Sequence, residues 1–239
     1  PTIFEAFQKA GARIAMVTAK DKLRLLLGKG LAFDGTAVAL SSEKADKVNL
    51  KDNGIEDVCG MVGMAVPEVY SAELSEFVFA AGVKLMASMR PDLMYLSTTD
   101  YVQHKYAPGS KGANSFYKMM DGYLGQLDAQ GAIVVIVADH GMKAKHLPSG
   151  EPDVIYLQDA MDKSFGAGAT KVILPITDPY VQHHGALGSF ATVYVKRISV
   201  ADASAFIAKQ PGIDVVLDRA QGCARFELPE DRMGDIIVV

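Results

Sequence analysis

Residues 132–138, AIVVIVA, are seven consecutive apolar side chains with no polar position among them. A half-exposed strand alternates apolar and polar residues, so an unbroken run of this length reads as a strand covered on both faces. Such coverage needs helices above and below, and the flanking sequence supplies them. Across 67–89, Val69, Leu74, Phe77, Val78, Ala81 and Leu85 recur at helical spacings of three and four; 115–131 reads as a second helix ending at Gly131. Shorter apolar segments at 12–18, 36–41 and 92–98 read as further strands, with a turn or two of helix over 21–27. Strands alternating with helices imply right-handed crossovers and a parallel sheet. The expected fold class is α/β, a mostly parallel sheet between helices.

The rhythm changes after about residue 147. LPSGEPDV is a turn-rich connection, and KVILPIT, GSFATVYV, a helix over 200–209, IDVVLD, a short helical patch and DIIVV follow it. These read as a smaller α+β cap. The expected division is a core over 1–148, the cap over 149–233, and the start of a return to the core over 234–239.

Composition narrows the function classes. The 24 Lys and Arg against 28 Asp and Glu give a net charge of −4, without the basic stripe of a nucleic-acid binder. Nothing approaches the roughly 18 consecutive apolar residues of a membrane-spanning helix, and the N-terminus lacks a signal-peptide layout. Cys59 and Cys223, the only cysteines, stand far apart, which excludes a disulfide scaffold or a thiolate zinc site. They read as inert, and a reducing, cytoplasmic location is expected.

Two constellations carry chemistry. Asp100 and His104, in DYVQH, follow the strand at 92–98. Ligands of parallel α/β proteins gather at the carboxyl ends of strands, and residues four apart share a helix face. A carboxylate and an imidazole can thus converge on one metal ion. The plainer reading is an Asp that caps a helix, followed by a surface histidine. Asp139 and His140 form the second constellation, at the end of the apolar run. Gly141 permits a sharp turn there, so both side chains can face the same crevice. Here the plainer reading is a capping Asp and a histidine satisfied by a backbone carbonyl. Two Asp/His pairs at two strand ends favour a metal site over that reading.

TTDYVQHKYAPGS followed by a helix and VADHGMKAKH resembles the metal-binding half of the alkaline phosphatase superfamily. The chain is most similar there to the phosphonoacetate hydrolases, which lie near the nucleotide pyrophosphatase/phosphodiesterases. VTAKDKLR and ILPITDPYVQHHGALGSFATVYV extend the resemblance over nearly the whole chain. It implies two zinc ions, about 4 Å apart as in two-metal hydrolytic sites. One is held by Asp100, His104 and a histidine near the family's C-terminus. The other is held by Asp139, His140, an N-terminal aspartate and a nucleophilic threonine. The implied reaction hydrolyses the C–P bond of phosphonoacetate to acetate and phosphate through a phospho-threonine intermediate. A phosphodiesterase or nucleotide pyrophosphatase on the same metal platform is the alternative, and a catalytically inert fragment is a further one.

The resemblance also implies that this stretch is internal, holding four of the metal ligands without the nucleophile or the last histidine. Thr36, in FDGTAV, lies wrongly for that nucleophile and reads as part of a turn. By resemblance Lys20 and Lys22 face the substrate carboxylate; spaced by two, they could share one side of a strand end. Two solvated lysines opening a helix with Asp21 are the plainer alternative. His146 is a candidate for orienting metal ligands, and His183 and His184 could enclose substrate from a cap loop or simply form a turn. The expected partner is a small phosphonate, with no nucleic acid or membrane, and a homodimer stays open.

Overall fold

The computed structural model describes residues 1–144, 146–174 and 189–239, which form two compact units, Pro1–Ala144 and Lys145–Val239. The division falls at 144/145, a few residues before the boundary expected from the turn-rich connection. His183 and His184 lie outside the described residues.

The first unit is built on a three-stranded parallel sheet of β1 (Ile14–Thr18), β2 (Ala37–Ser41) and β3 (Leu93–Ser97), in the order β2-β1-β3. Its helices are α1 (Ile3–Lys9), α2 (Asp21–Leu27), α3 (Leu50–Asn53), α4 (Val58–Val62), α5 (Glu73–Met89), α6 (Tyr101–Lys105) and α7 (Lys111–Ala129). Alternation along the central strand explains the layering. Ile14 and Met16 face a cluster with Phe4 and the half-buried Leu27, whereas Ala15 and Val17 face one with Val58, Leu74, Phe77, Val78 and Leu85. All five residues of β1 are buried, as a strand covered on both faces should be.

Helix α5 presents Leu74, Phe77, Val78, Ala81 and Leu85 to the sheet, the stripe expected from its spacing. It begins at Glu73, where the sequence suggests a start near Pro67. Ser71 Oγ accepts the Leu74 N–H at 3.3 Å, so residues before it turn instead of joining the helix. Gly82 lets α5 approach β3, since a Cβ there would stand 2.8 Å from Leu96 Cδ1.

The apolar run at 132–138 departs from expectation. It forms no strand, and Ile133, Val135 and Val137 are 96%, 78% and 87% exposed. Apolarity qualifies a segment to be buried in a sheet, but a strand exists only through ladder partners. None pairs with this run among the described residues, and β3 is an edge strand whose five residues are only half-buried.

The second unit is an antiparallel sheet of β4 (Thr170–Ile173), β5 (Ala191–Val195), β6 (Val216–Asp218) and β7 (Ile236–Val238), ordered β4-β5-β7-β6. Helices α8 (Leu157–Phe165), α9 (Val200–Ile207) and α10 (Arg219–Phe226) complete it. Leu157, Met161, Ala203 and Ile207 pack with Val193, Ile236 and Val238. Residues 234–239, expected to begin a return to the core, instead supply β7, an interior strand of this unit's own sheet. The fully buried Ile236 and Ile237 keep it there.

Candidate active site

The three parallel strands end level, because Thr18 pairs with both Ser41 and Ser97. Their carboxyl ends therefore present three turns along one edge of the sheet. Thr18, fully buried, donates from Oγ1 to the Lys20 carbonyl at 2.9 Å and shapes the turn after β1. Ser42 donates to the Leu74 carbonyl at 2.8 Å, and Ser75 Oγ accepts the Thr99 N–H at 3.2 Å. The N-terminal turn of α5 thus fastens the turns after β2 and β3.

Asp100 and His104 sit on the turn after β3. Asp100 stands at the N-cap position of the short α6 without a side-chain capping bond, the His104 N–H bonds to the Asp100 carbonyl at 2.9 Å, and the side chains meet with Asp100 Oδ2 3.0 Å from His104 Nε2. Asp139 and His140 lie on an exposed bend after the apolar run, with Asp139 Oδ2 3.6 Å from His140 Nε2. The His140 Nδ1 is 2.9 Å from the Gly141 carbonyl, a contact in which Nδ1 is the donor.

These separations test the donors against zinc. Two ligands each about 2.0–2.1 Å from a tetrahedral zinc stand roughly 3.3 Å apart. The two pairs, at 3.0 and 3.6 Å, bracket that distance. Each pair fits as two ligands of one ion. Among the described residues no three His, Cys, Asp or Glu side chains form a group that could hold a metal ion.

Lys20 immediately precedes α2 and is half-buried, with its Nζ 5.5 Å from the centroid of the Tyr70 ring. Lys22 is exposed in the first turn of α2, not on a strand end, because the helix begins one residue after Lys20. Between them, Asp21 is bonded by Arg24 at 2.6 Å and Ser41 at 2.9 Å. Burial pushes its carboxyl up, but those donors outweigh it and hold Asp21 below the usual aspartate range. Asp21 is thereby engaged in tying α2 to β2.

His146 belongs to the second unit, where it pairs across a tight turn with Pro152. Thr36 donates to Asp34 at 2.6 Å at the start of β2, the opposite end of the sheet from these turns. Its turn role follows from that bond. Burial raises the Cys59 thiol above its usual range, as expected of an unreactive cysteine.

Four neighbours of the site carry weak sequence signals or none. Tyr101 and Lys105, four apart on α6, bond at 3.2 Å, and the Tyr101 hydroxyl keeps the Lys105 ammonium protonated to higher pH than usual. Gln103 Oε1 is buried without a hydrogen-bond partner among the described residues. Tyr70, 77% exposed, comes from the connection before α5, and nothing local in the sequence marks it.

Residues 42–239 match the type I phosphodiesterase / nucleotide pyrophosphatase family. The chain belongs to that family. It is also similar to phosphonoacetate hydrolase from Sinorhizobium meliloti 1021, solved in complex with phosphonoacetate and with phosphonoformate. Each comparison gives 62% identity and a TM-score of 0.76, covering 100% of this chain and 58% of the other. The chain thus spans somewhat over half the length of those relatives. Within the family frame, the α/β unit with its parallel sheet carries both Asp/His pairs. No helix among the described residues is long and apolar enough to cross a membrane.

Proposed function

We propose that the intact protein is a zinc-dependent phosphonoacetate hydrolase, releasing acetate and phosphate. The observation that carries this reading is the 62% identity, sustained along the entire chain, to a hydrolase crystallised with phosphonoacetate. Asp100 with His104, and Asp139 with His140, are the residues that would hold zinc. Bound zinc would offset charge developing on the phosphoryl oxygens and favour an ionised hydroxyl or water.

The leaving group sets the demand on the protein's own residues. Hydrolysing a C–P bond expels carbon with its electron pair, a poor leaving group. The neighbouring carboxylate lets that charge delocalise onto oxygen in an enolate-like form, which then takes up a proton at carbon to give acetate. Lys20, at the turn after β1, supplies positive charge toward that carboxylate, with Lys22 in the first turn of α2 as a second source. In the phospho-threonine route that the resemblance implies, a threonine oxygen would take the phosphoryl group as the C–P bond breaks, and water would then cleave the phosphoester to release phosphate.

The family match favours a second reading, a phosphodiesterase or nucleotide pyrophosphatase on the same metal pairs. A nucleotide ester needs an apolar or aromatic slot for its base more than clustered lysines. Offering phosphonoacetate and a nucleotide ester in competition, with zinc present, separates the readings. Acetate and phosphate released in equal amounts, little affected by the ester, support the first. Preferential ester cleavage with no acetate overturns it.

A further inference from the structure

Tyr70 lacks the usual reason for an aromatic residue to be where it is. Its ring is 77% exposed and contributes to no core cluster, yet its backbone is fixed. The next residue, Ser71, donates to the Glu68 carbonyl at 2.8 Å and accepts the Leu74 N–H, locking the turn that enters α5. From that turn the ring reaches two other strand-end turns. Lys20 Nζ, after β1, stands 5.5 Å from its centroid, and the Tyr101 ring, after β3, stands 6.4 Å away at an interplanar angle of 48°. Tyr101 directly follows Asp100 in sequence. An ammonium within about 6 Å of a ring centroid is held by the ring's negative face.

A lysine on a four-carbon stem has many rotamers, so a role for Lys20 in the site requires something to restrict them. We propose that Tyr70 is a positioning residue: with its ring braced by Tyr101, it holds the Lys20 ammonium on the side of the sheet edge where Asp100 and His104 stand. The inference rests on the reading of Lys20 as the cation facing the substrate carboxylate. Tyr70 itself contacts no reacting atom. The ring restricts the ammonium while leaving its charge available to an anion, which a carboxylate partner would neutralise.

The test uses the intact protein and the variants Tyr70→Leu, Tyr70→Phe, Lys20→Ala and Tyr70→Leu/Lys20→Ala. Phosphonoacetate is the substrate, and methylphosphonate, which lacks the carboxylate, is a competing ligand. Tyr70→Leu is expected to raise KM for phosphonoacetate about two- to five-fold, the size of an exposed cation–π contact, and to leave methylphosphonate affinity unchanged. Tyr70→Phe keeps the ring and matches the parent. In the Lys20→Ala background the leucine adds nothing further. A ring-current shift of the Lys20 ε-methylene protons, present in the parent and lost in Tyr70→Leu, reports the contact directly. Equal weakening of both ligands, or an undiminished leucine effect without Lys20, overturns the positioning role. So does a leucine effect confined to a nucleotide ester, which would make Tyr70 a base-stacking residue. If Lys20→Ala leaves phosphonoacetate binding intact, the reading of Lys20 fails and the positioning role with it. If Lys20→Ala weakens binding and Tyr70→Leu does not, only the positioning role fails.

Discussion

Asp100 Oδ2 and His104 Nε2 stand 3.0 Å apart across one turn of α6, with His104 N–H bonded to the Asp100 carbonyl. The short helix sets this spacing, and it is close to the separation of two donors on one tetrahedral zinc. Both side chains are substantially exposed, so the contact contributes little to folding. Asp100→Ala and His104→Ala should therefore lower activity of the intact protein by more than the roughly 10–100-fold that loss of an outer partner of a metal ligand costs. Thermal unfolding without metal should stay within a few degrees of the parent. A large drop in that melting temperature would instead assign the pair a structural role.

Phe77 is fully buried between α5 and the parallel sheet. Phe77→Ala removes a ring from a packed interior, and a loss of about 3–5 kcal/mol is expected. Urea unfolding of the first unit, followed by a probe in β1 or α5, measures it. A loss below about 1 kcal/mol would contradict the layering described for this unit.

Asp21 provides a pH-dependent tie between α2 and β2. Burial opposes its ionisation, but bonds from Arg24 and Ser41 lower its folded-state pKa below that of the unfolded chain. A lowered carboxyl pKa contributes stability that is fully present above the unfolded value and is lost as pH falls through the folded one. Its contribution should thus disappear below about pH 4. Comparing the parent with Asp21→Asn, the stability difference should be present at pH 6–7 and should vanish toward pH 2–3. A difference independent of pH would contradict this.

Ile133, Val135 and Val137 present an apolar, uncharged run to solvent without a ladder partner among the described residues. Segments of this kind pair readily with other chains. Sedimentation of the 239-residue chain should show concentration-dependent association, and Val135→Lys with Val137→Lys should reduce it. Unchanged association in the lysine variants would place the contact elsewhere.

How far the sequence could be read depended on how locally each feature is determined. The buried strands β1 and β2 and the stripe of α5 were legible because period and burial coincide in Ile14–Thr18 and in Leu74, Phe77 and Val78. The Asp100–His104 contact was legible because four residues make one helical turn. Residues 132–138 misled, since apolarity reports a preference for burial and the partner that makes a strand lies elsewhere. Lys22 lies in the first turn of the helix expected over 21–27, which is the plainer of its two readings and not the strand-end one. Tyr70 could not be found at all from sequence, because the turns it links lie far from it along the chain.

Zinc content of the intact protein, purified without chelator and measured by mass spectrometry, tests the central claim most directly. Asp100→Ala and Asp139→Ala are measured beside it. The account predicts two zinc ions per chain in the parent and a loss in each variant. Full zinc content in both variants, or a parent that hydrolyses phosphonoacetate while holding no metal, would contradict it.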